Sequence, residues 1–137
     1  MTRPAEGYRE IEHTADWELE VWGPDLSSLL QQAALGMYGL LGLRLAEQPR
    51  ERRDFELEAH DAESLLVEFL NELLFLAESE DLGFDGFELR ILGNRLEATL
   101  QGAPIAARRK EIKAVTYSRL EIRETAGGLT TRVVFDV

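Results

Sequence analysis

Two carboxylates lie within one residue of each other where the sequence stops, because Asp136 precedes Val137 and its terminal carboxylate. Asp16, near the other end of the sequence, offers a third carboxylate. Clustered hard oxygen ligands suit Ca²⁺ or Mg²⁺ better than zinc. Spacing alone nevertheless favours a structural interpretation, in which Asp16 caps or turns the chain and Asp136 belongs to a frayed terminus.

Alternating residue types place these aspartates in strands. The stretch 16–22 predicts a half-buried strand. Its apolar face holds Trp17, Leu19 and Val21, and its polar face holds Asp16, Glu18, Glu20 and Trp22. The stretch 129–135 alternates in the same way and leaves Asp136 on the face opposite Phe135. The two aspartates can therefore meet at the rim of one sheet.

Two helices are predicted between these strands. Asp25 is a suitable N-cap for a helix over Leu26–Leu41, in which leucine, alanine and methionine recur at helical spacing. Asp61 is a suitable N-cap for a second helix over Ala62–Glu80, which carries a continuous leucine and phenylalanine stripe. Each helix should bury one face.

The remaining segments predict a mainly antiparallel sheet. A strand is expected around 55–59, followed after the second helix by two hairpins, 87–100 and 120–135, which turn at Gly93-Asn94 and Gly127-Gly128. A loop around Pro104 and a short extended stretch at 114–116 separate the hairpins. The order of elements indicates a single α+β domain over residues 1–137, in which two helices cover the sheet.

Composition narrows the possible functions. The 137 residues are 45% hydrophobic and contain no cysteine, which excludes disulfides, a thiolate nucleophile and Cys-ligated metals. Neither a run of about 18 apolar residues nor the features of a signal peptide occur, so a cytoplasmic protein is expected. The sequence also lacks a Gly-rich phosphate-binding loop.

The formal net charge of −11 argues against strong direct binding to nucleic acid, since that affinity comes from Lys and Arg neutralising phosphates. One basic cluster is evident along the sequence, formed by Arg108, Arg109, Lys110 and Lys113, and a solvated loop accounts for it. An acidic surface suits docking against a basic partner protein.

Residues 12–16, 19–23 and 111–117 and the terminal Asp136-Val137 pair form a recognisable combination of segments. In these segments, and along the chain from Tyr8 to Val137, the sequence resembles the archease family, small acidic proteins that activate RtcB-type RNA ligases. The sequence departs from the family pattern at Trp17 and Glu18, at Gly102-Ala103, and in 104–110, which lacks a frequent histidine. These departures bear on the loop expected to contact the partner.

The resemblance implies a metal site formed by the carboxylates of Asp16, Asp136 and Val137. Ca²⁺ is the expected cation, with Mg²⁺ or Mn²⁺ as alternatives. Lys113 matches a basic position important to activity in the family, and clustered carboxylates give a lysine there a physical reason to be present. His13 is a further candidate for the partner-facing surface, although a turn or capping role suits it at least as well.

The function implied by the resemblance is that of an accessory protein. It would promote guanylylation of an RNA ligase and its repeated turnover in tRNA splicing or RNA repair, with the chemistry carried by the ligase. Two alternatives stay open from the residues themselves. The carboxylates could position a cation that activates water in an independent hydrolase, or the protein could be a non-enzymatic chaperone or interaction module.

Overall fold

A computed structural model describes residues 3–11 and 17–137. The elements are β1 (Gly7–Ile11), β2 (Trp17–Gly23), α1 (Leu26–Leu41), β3 (Arg44–Leu45), β4 (Glu51–Glu58), α2 (Ala62–Glu80), β5 (Leu82–Leu92), β6 (Arg95–Ala107), β7 (Ala114–Val115), β8 (Arg123–Thr125) and β9 (Gly128–Asp136). The predicted α+β class with antiparallel strands and two helices is confirmed.

The strands form two antiparallel sheets rather than one. In the first sheet β2 lies between β1 and β9, while β7 and β8 pair with different ends of the other edge of β9. In the second sheet β6 is the centre and pairs with β3, β4 and β5. The strand that carries Asp136 is therefore interior to its sheet.

Both helices begin and end where the sequence predicts. The Asp25 and Asp61 carboxylates accept hydrogen bonds from the amides of Ser28 and Ser64, at 2.8 and 2.7 Å, and so satisfy N–H groups that have no partner within the helix. Helix α1 stops at Gly42, whose φ of 63° favours glycine. The chain can then leave the helix and form β3.

The helices share one core with both sheets. Helix α1 packs on β1, β2 and β9 of the first sheet and on β5 of the second, and α2 packs on β4, β5, β6 and β7. Phe69, Phe84 and Phe135 are the largest fully buried side chains and come from α2 and from both sheets. Burial of these apolar faces is the main force that holds the helices against the strands. No helix in the described part of the chain is long and apolar enough to cross a lipid bilayer.

The prediction of a loop around Pro104 is wrong, because β6 continues through Pro104 to Ala107. Proline usually marks the end of a strand because it cannot donate a ladder hydrogen bond. Here Pro104 still pairs with Leu82, and its carbonyl accepts a hydrogen bond from the Ala46 amide at 2.8 Å. Gly102 lies so close to the Gly83 carbonyl that a Cβ could not fit. The departure at Gly102-Ala103 is thus inside a sheet, away from any contact loop.

Burial along β2 also differs from strict alternation. Glu18 was expected on the polar face, yet it is only 3% exposed. Its neighbours across the strands are Ile11 on β1 and Val134 on β9, both of which are apolar. Two flanking strands therefore bury a position that the sequence pattern alone assigns to solvent.

Candidate functional site

The candidate site lies where β9 ends. Asp136 is the last residue of this strand, its side chain is exposed, and its backbone pairs with Ala114 of β7. The amide of Lys113 donates a hydrogen bond to the Asp136 carbonyl at 2.8 Å. Val137 follows and is 42% exposed. Lys113 and Asp136, which are 23 positions apart in the sequence (136 − 113), are thus fixed next to each other by β-sheet pairing.

Asp16 and His13 lie outside the described residues. Trp17, which follows Asp16 in the sequence, pairs with Phe135, which precedes Asp136. The described residues contain no group of three His, Cys, Asp or Glu side chains arranged to hold a metal ion. Of the predicted ligand set, the structure describes Asp136 and Val137. The backbone of Lys113 is hydrogen-bonded to that of Asp136, and no ion pair between their side chains is present among the described residues.

The donor set at this strand end fits a hard cation. Asp136 offers carboxylate oxygens to solvent, and oxygen ligands are those that Ca²⁺, Mg²⁺ and Mn²⁺ prefer. The one described histidine, His60, is far along the chain at the start of α2, where its ring lies 3.3 Å from the Asp61 carboxylate. A soft-metal site has no donors in this part of the described chain.

Asn71 positions β7, the strand that directly follows Lys113, and the sequence patterns did not single it out. Its side-chain carbonyl on α2 accepts a hydrogen bond from the Val115 amide at 3.0 Å. On the other side, the amide and hydroxyl of Thr116 both donate to the Val134 carbonyl at 3.0 Å. A single amide side chain within the leucine stripe of α2 was the available signal. The hydrogen bond between Asn71 and Val115 attaches the candidate site to α2.

The predicted basic cluster lies in the loop between β6 and β7, and its members have different surroundings. Arg108 pairs with Glu78 of α2 at 2.9 Å. The amides of Arg109 and Lys110 both donate to the Leu41 carbonyl, at 2.9 and 3.2 Å. These contacts attach the loop to the ends of the two helices, as a structural role requires.

Lys110 also makes a contact that links this loop to β2. Its ammonium group lies 4.6 Å from the centre of the Trp17 ring, within the range of a cation–π interaction. Trp17 is one of the departures from the family pattern. The tryptophan therefore has a local partner in the loop that precedes Lys113.

A shallow groove lies beside Lys113, between α2 and the loop. Its volume is about 460 Å³, and its lining residues are Asn71, Leu74, Phe75, Glu78, Glu111, Ile112 and Lys113. Phe75 projects from α2 at this groove and is 59% exposed. Glutamates border this apolar surface, so it suits a partner that combines an apolar side chain with positive charge.

The fold and the strand end define a class of protein. It is a small acidic α+β domain in which an interior strand ends on an exposed aspartate, whose backbone is hydrogen-bonded to that of a lysine. The model of the archease protein family (MTH1598/TM1083) matches residues 8–137. The chain therefore belongs to the archease family.

Curated relatives support the same assignment along nearly the full length. The protein archease of Methanosarcina mazei is 33% identical over 146 aligned positions, covering 98% of this chain and 99% of the relative. The protein archease of Danio rerio is 32% identical, covering 86% of this chain and 78% of the relative.

Two solved structures share the fold. The solution structure of Methanobacterium thermoautotrophicum protein 1598 has a TM-score of 0.71 at 30% identity, covering 96% of this chain and 99% of that one. The crystal structure of a Thermotoga maritima archease, described as a possible chaperone, has a TM-score of 0.69 at 28% identity and covers 100% of this chain and 98% of that one.

Proposed function

We propose that this protein is a cytoplasmic accessory protein that activates an RtcB-type RNA ligase, promoting guanylylation of the ligase and its multiple turnover in tRNA splicing or RNA repair. Membership of the archease family supports the proposal. The observation that carries it is the hydrogen bond from the Lys113 amide to the Asp136 carbonyl. This bond holds the segment of Lys113 against the strand that carries Asp136. The chemical steps belong to the ligase.

The metal belongs to the same proposal. Asp136, Val137 and Asp16 would hold the cation through carboxylate oxygens, with Ca²⁺ expected first and Mg²⁺ or Mn²⁺ as alternatives. A bound cation would supply positive charge that offsets these carboxylates. Lys113 would add a second positive charge at the rim, and Asn71 would hold the Lys113 segment in register through Val115.

The groove around Phe75 is the surface that would contact the ligase. It adjoins Lys113, so a docked partner would cover the strand end at the same time. The net charge of −11 favours association with a basic surface, because complementary potentials accelerate the encounter. His13 is proposed for the same partner-facing surface.

The direct test measures covalent guanylylation of the host's RNA ligase. Purified ligase is incubated with radiolabelled GTP and divalent metal, with and without this protein, and the label attached to the ligase is counted after denaturation. The proposal predicts faster labelling at substoichiometric amounts of this protein. Equal labelling rates with and without it would contradict the proposal.

A chaperone function is the second candidate, because the Thermotoga maritima relative is described as a possible chaperone. It predicts a different result in the same experiment. A chaperone would raise the yield of soluble ligase during refolding, yet would leave the labelling rate of already folded ligase unchanged. An independent hydrolase would instead convert a substrate without the ligase.

A further inference from the structure

Arginines that are distant in the sequence come together on the exposed face of the first sheet. Arg9 lies on β1, Arg132 on β9, Arg123 on β8 and Arg119 in the turn before β8, and Arg3 lies over the ring of Trp22 on β2 at 3.8 Å. We call these five residues the arginine face. The sequence, read along the chain, shows one basic cluster elsewhere and does not show this one.

The arginine face carries a local excess of positive charge in an acidic protein. Two carboxylates lie within it: Glu20, which is 2.7 Å from Arg3 and 3.6 Å from Arg9, and Glu121, which is 3.2 Å from Arg123. Five guanidinium groups against two carboxylates leave a formal charge of +3 (5 − 2). Glu18, one row further along β2, is buried, and its carboxylate lowers the formal excess to +2 (3 − 1).

Arg119 and Arg132 are the arginines with donors to spare. Neither forms an ion pair with another residue in the described part of the chain. They line a groove of about 430 Å³ together with Arg123, Glu20, Glu121, Thr130 and Thr131. The hydroxyls of Thr130 and Thr131 already donate to the carbonyls of Val21 and Glu121. The guanidinium groups are therefore the available donors, and their charge favours an anionic acceptor.

We propose that the arginine face binds the phosphodiester backbone of single-stranded RNA. A guanidinium group matches two phosphate oxygens with parallel hydrogen bonds, which a lysine cannot do. Neighbouring strands are about 4.8 Å apart, so the four strands from β1 to β8 span about 14 Å, wide enough for more than one phosphate. The choice of RNA over an acidic peptide rests on the proposed function.

The arginine face lies on the same side of the first sheet as Asp136, the predicted metal ligand. Arg132 and Asp136 project on the same side of β9, four residues apart, which corresponds to about 13 Å. A phosphate held by Arg132 would therefore lie about 13 Å from Asp136 on the same side of β9. This revises the expectation from net charge, because RNA would bind one face while the rest of the surface repels it.

The test is a binding measurement on the isolated protein without the ligase. Fluorescence anisotropy of a labelled eight-nucleotide RNA with a 5′-hydroxyl end is recorded for the parent chain and for the double variant Arg119→Gln/Arg132→Gln. The matched control is Arg44→Gln/Arg90→Gln, which removes the same charge from exposed positions of the other sheet. We expect at least a tenfold loss of affinity for the first variant and less than twofold for the control.

The salt dependence provides an independent readout. About three phosphate contacts predict a slope of about −2 for log affinity against log salt, and loss of two contacts should reduce it by about 1.4. Equal losses in the two double variants would overturn the proposal, as would the absence of RNA binding. Tighter binding of a glutamate octapeptide than of RNA would also overturn it. So would complete displacement of the labelled RNA by GTP, if GTP bound with the same affinity as the RNA. If the parent binds RNA yet does not stimulate the ligase, the proposed function fails and this inference stands.

Discussion

At the scale of single residues, the candidate site consists of Asp136 and Lys113, whose backbones are hydrogen-bonded at the end of β9. Strand parity predicted that Asp16 and Asp136 could meet at one rim, whereas only the family resemblance implied that Lys113 belongs to the same site. The contribution of Asn71 was not predictable, because one polar residue in an apolar helical stripe does not reveal which amide it will meet. Its partner, Val115, is 44 positions away in the sequence.

Asp136→Asn tests the carboxylate directly. The substitution keeps the size of the side chain but removes its charge, so we expect at least a tenfold loss of ligase stimulation and loss of Ca²⁺ binding in calorimetry. Stability without metal should change little, since the side chain is exposed. Glu88→Gln, at an exposed position of β5, is the control and should behave as the parent does. Unchanged Ca²⁺ binding by the Asp136 variant would remove this residue from the metal site.

Asn71→Ala tests how the Lys113 segment is positioned. Loss of the side-chain carbonyl leaves the Val115 amide without its acceptor, which should lower the free energy of unfolding by about 1–3 kcal/mol. Asn71→Asp retains an acceptor oxygen and should restore ligase stimulation at a temperature where both variants are folded. Chemical denaturation and the guanylylation rate are the two measurements. If the Asp variant is as inactive as the Ala variant, the hydrogen bond is not what positions Lys113.

At the scale of elements, both helices and their caps were predictable because the signals are local. Asp25 and Asp61 stand directly before apolar stripes of helical period, and each meets the amide three residues later. The extent of β6 was not predictable, because proline indicates a strand break. In the structure Pro104 pairs with Leu82 and its carbonyl accepts a hydrogen bond from the Ala46 amide. The division of the strands into two sheets likewise depends on long-range pairing.

The Asp25 cap should make stability depend on pH at the acid end. Hydrogen bonds from the amide and then the hydroxyl of Ser28 lower the pKa of the Asp25 carboxyl in the folded state, below its ordinary value of 3.8. A lowered pKa in the folded state means that the stabilisation is present above the unfolded pKa and is lost as pH falls through the folded pKa. Asp25→Asn keeps a capping acceptor without a titrating charge.

Urea denaturation of the parent and of the Asp25→Asn variant between pH 2 and pH 6 measures this contribution. We expect the parent to lose more stability than the variant as pH falls below about 4. Asp25→Ala, which removes the cap itself, should cost about 1 kcal/mol at neutral pH. Parallel pH profiles for the parent and the Asn variant would show that the cap does not depend on the carboxylate charge.

At the scale of the whole molecule, surface charge is the property that the sequence described least well. The net charge of −11 is correct as a sum, but the fold separates it into an acidic majority and the arginine face. The arginine face combines segments from opposite ends of the chain, so no short stretch of sequence contains all its members: Arg3, Arg9, Arg119, Arg123 and Arg132. The exposed Phe75 on α2 was not singled out by the sequence patterns either.

Phe75→Ser tests the groove beside Lys113 as the surface for the ligase. An exposed phenylalanine contributes little to folding, so stability should stay within about 0.5 kcal/mol of the parent. Loss of an apolar anchor should raise the concentration needed for half-maximal ligase stimulation by about tenfold, with maximal stimulation unchanged. Leu92→Ser, 52% exposed on β5, is the matched control. An equal effect of both substitutions would mean that the groove has no special role.

The central claim, activation of an RNA ligase, is tested most directly by counting turnovers. A labelled RNA with a 2′,3′-cyclic phosphate end and a partner strand with a 5′-hydroxyl end are supplied in large excess over the ligase. GTP and divalent metal are present throughout, and the ligated product per ligase molecule is measured. We expect many ligations per ligase with this protein and about one without it. A yield that stays near one per ligase with both proteins present would contradict it.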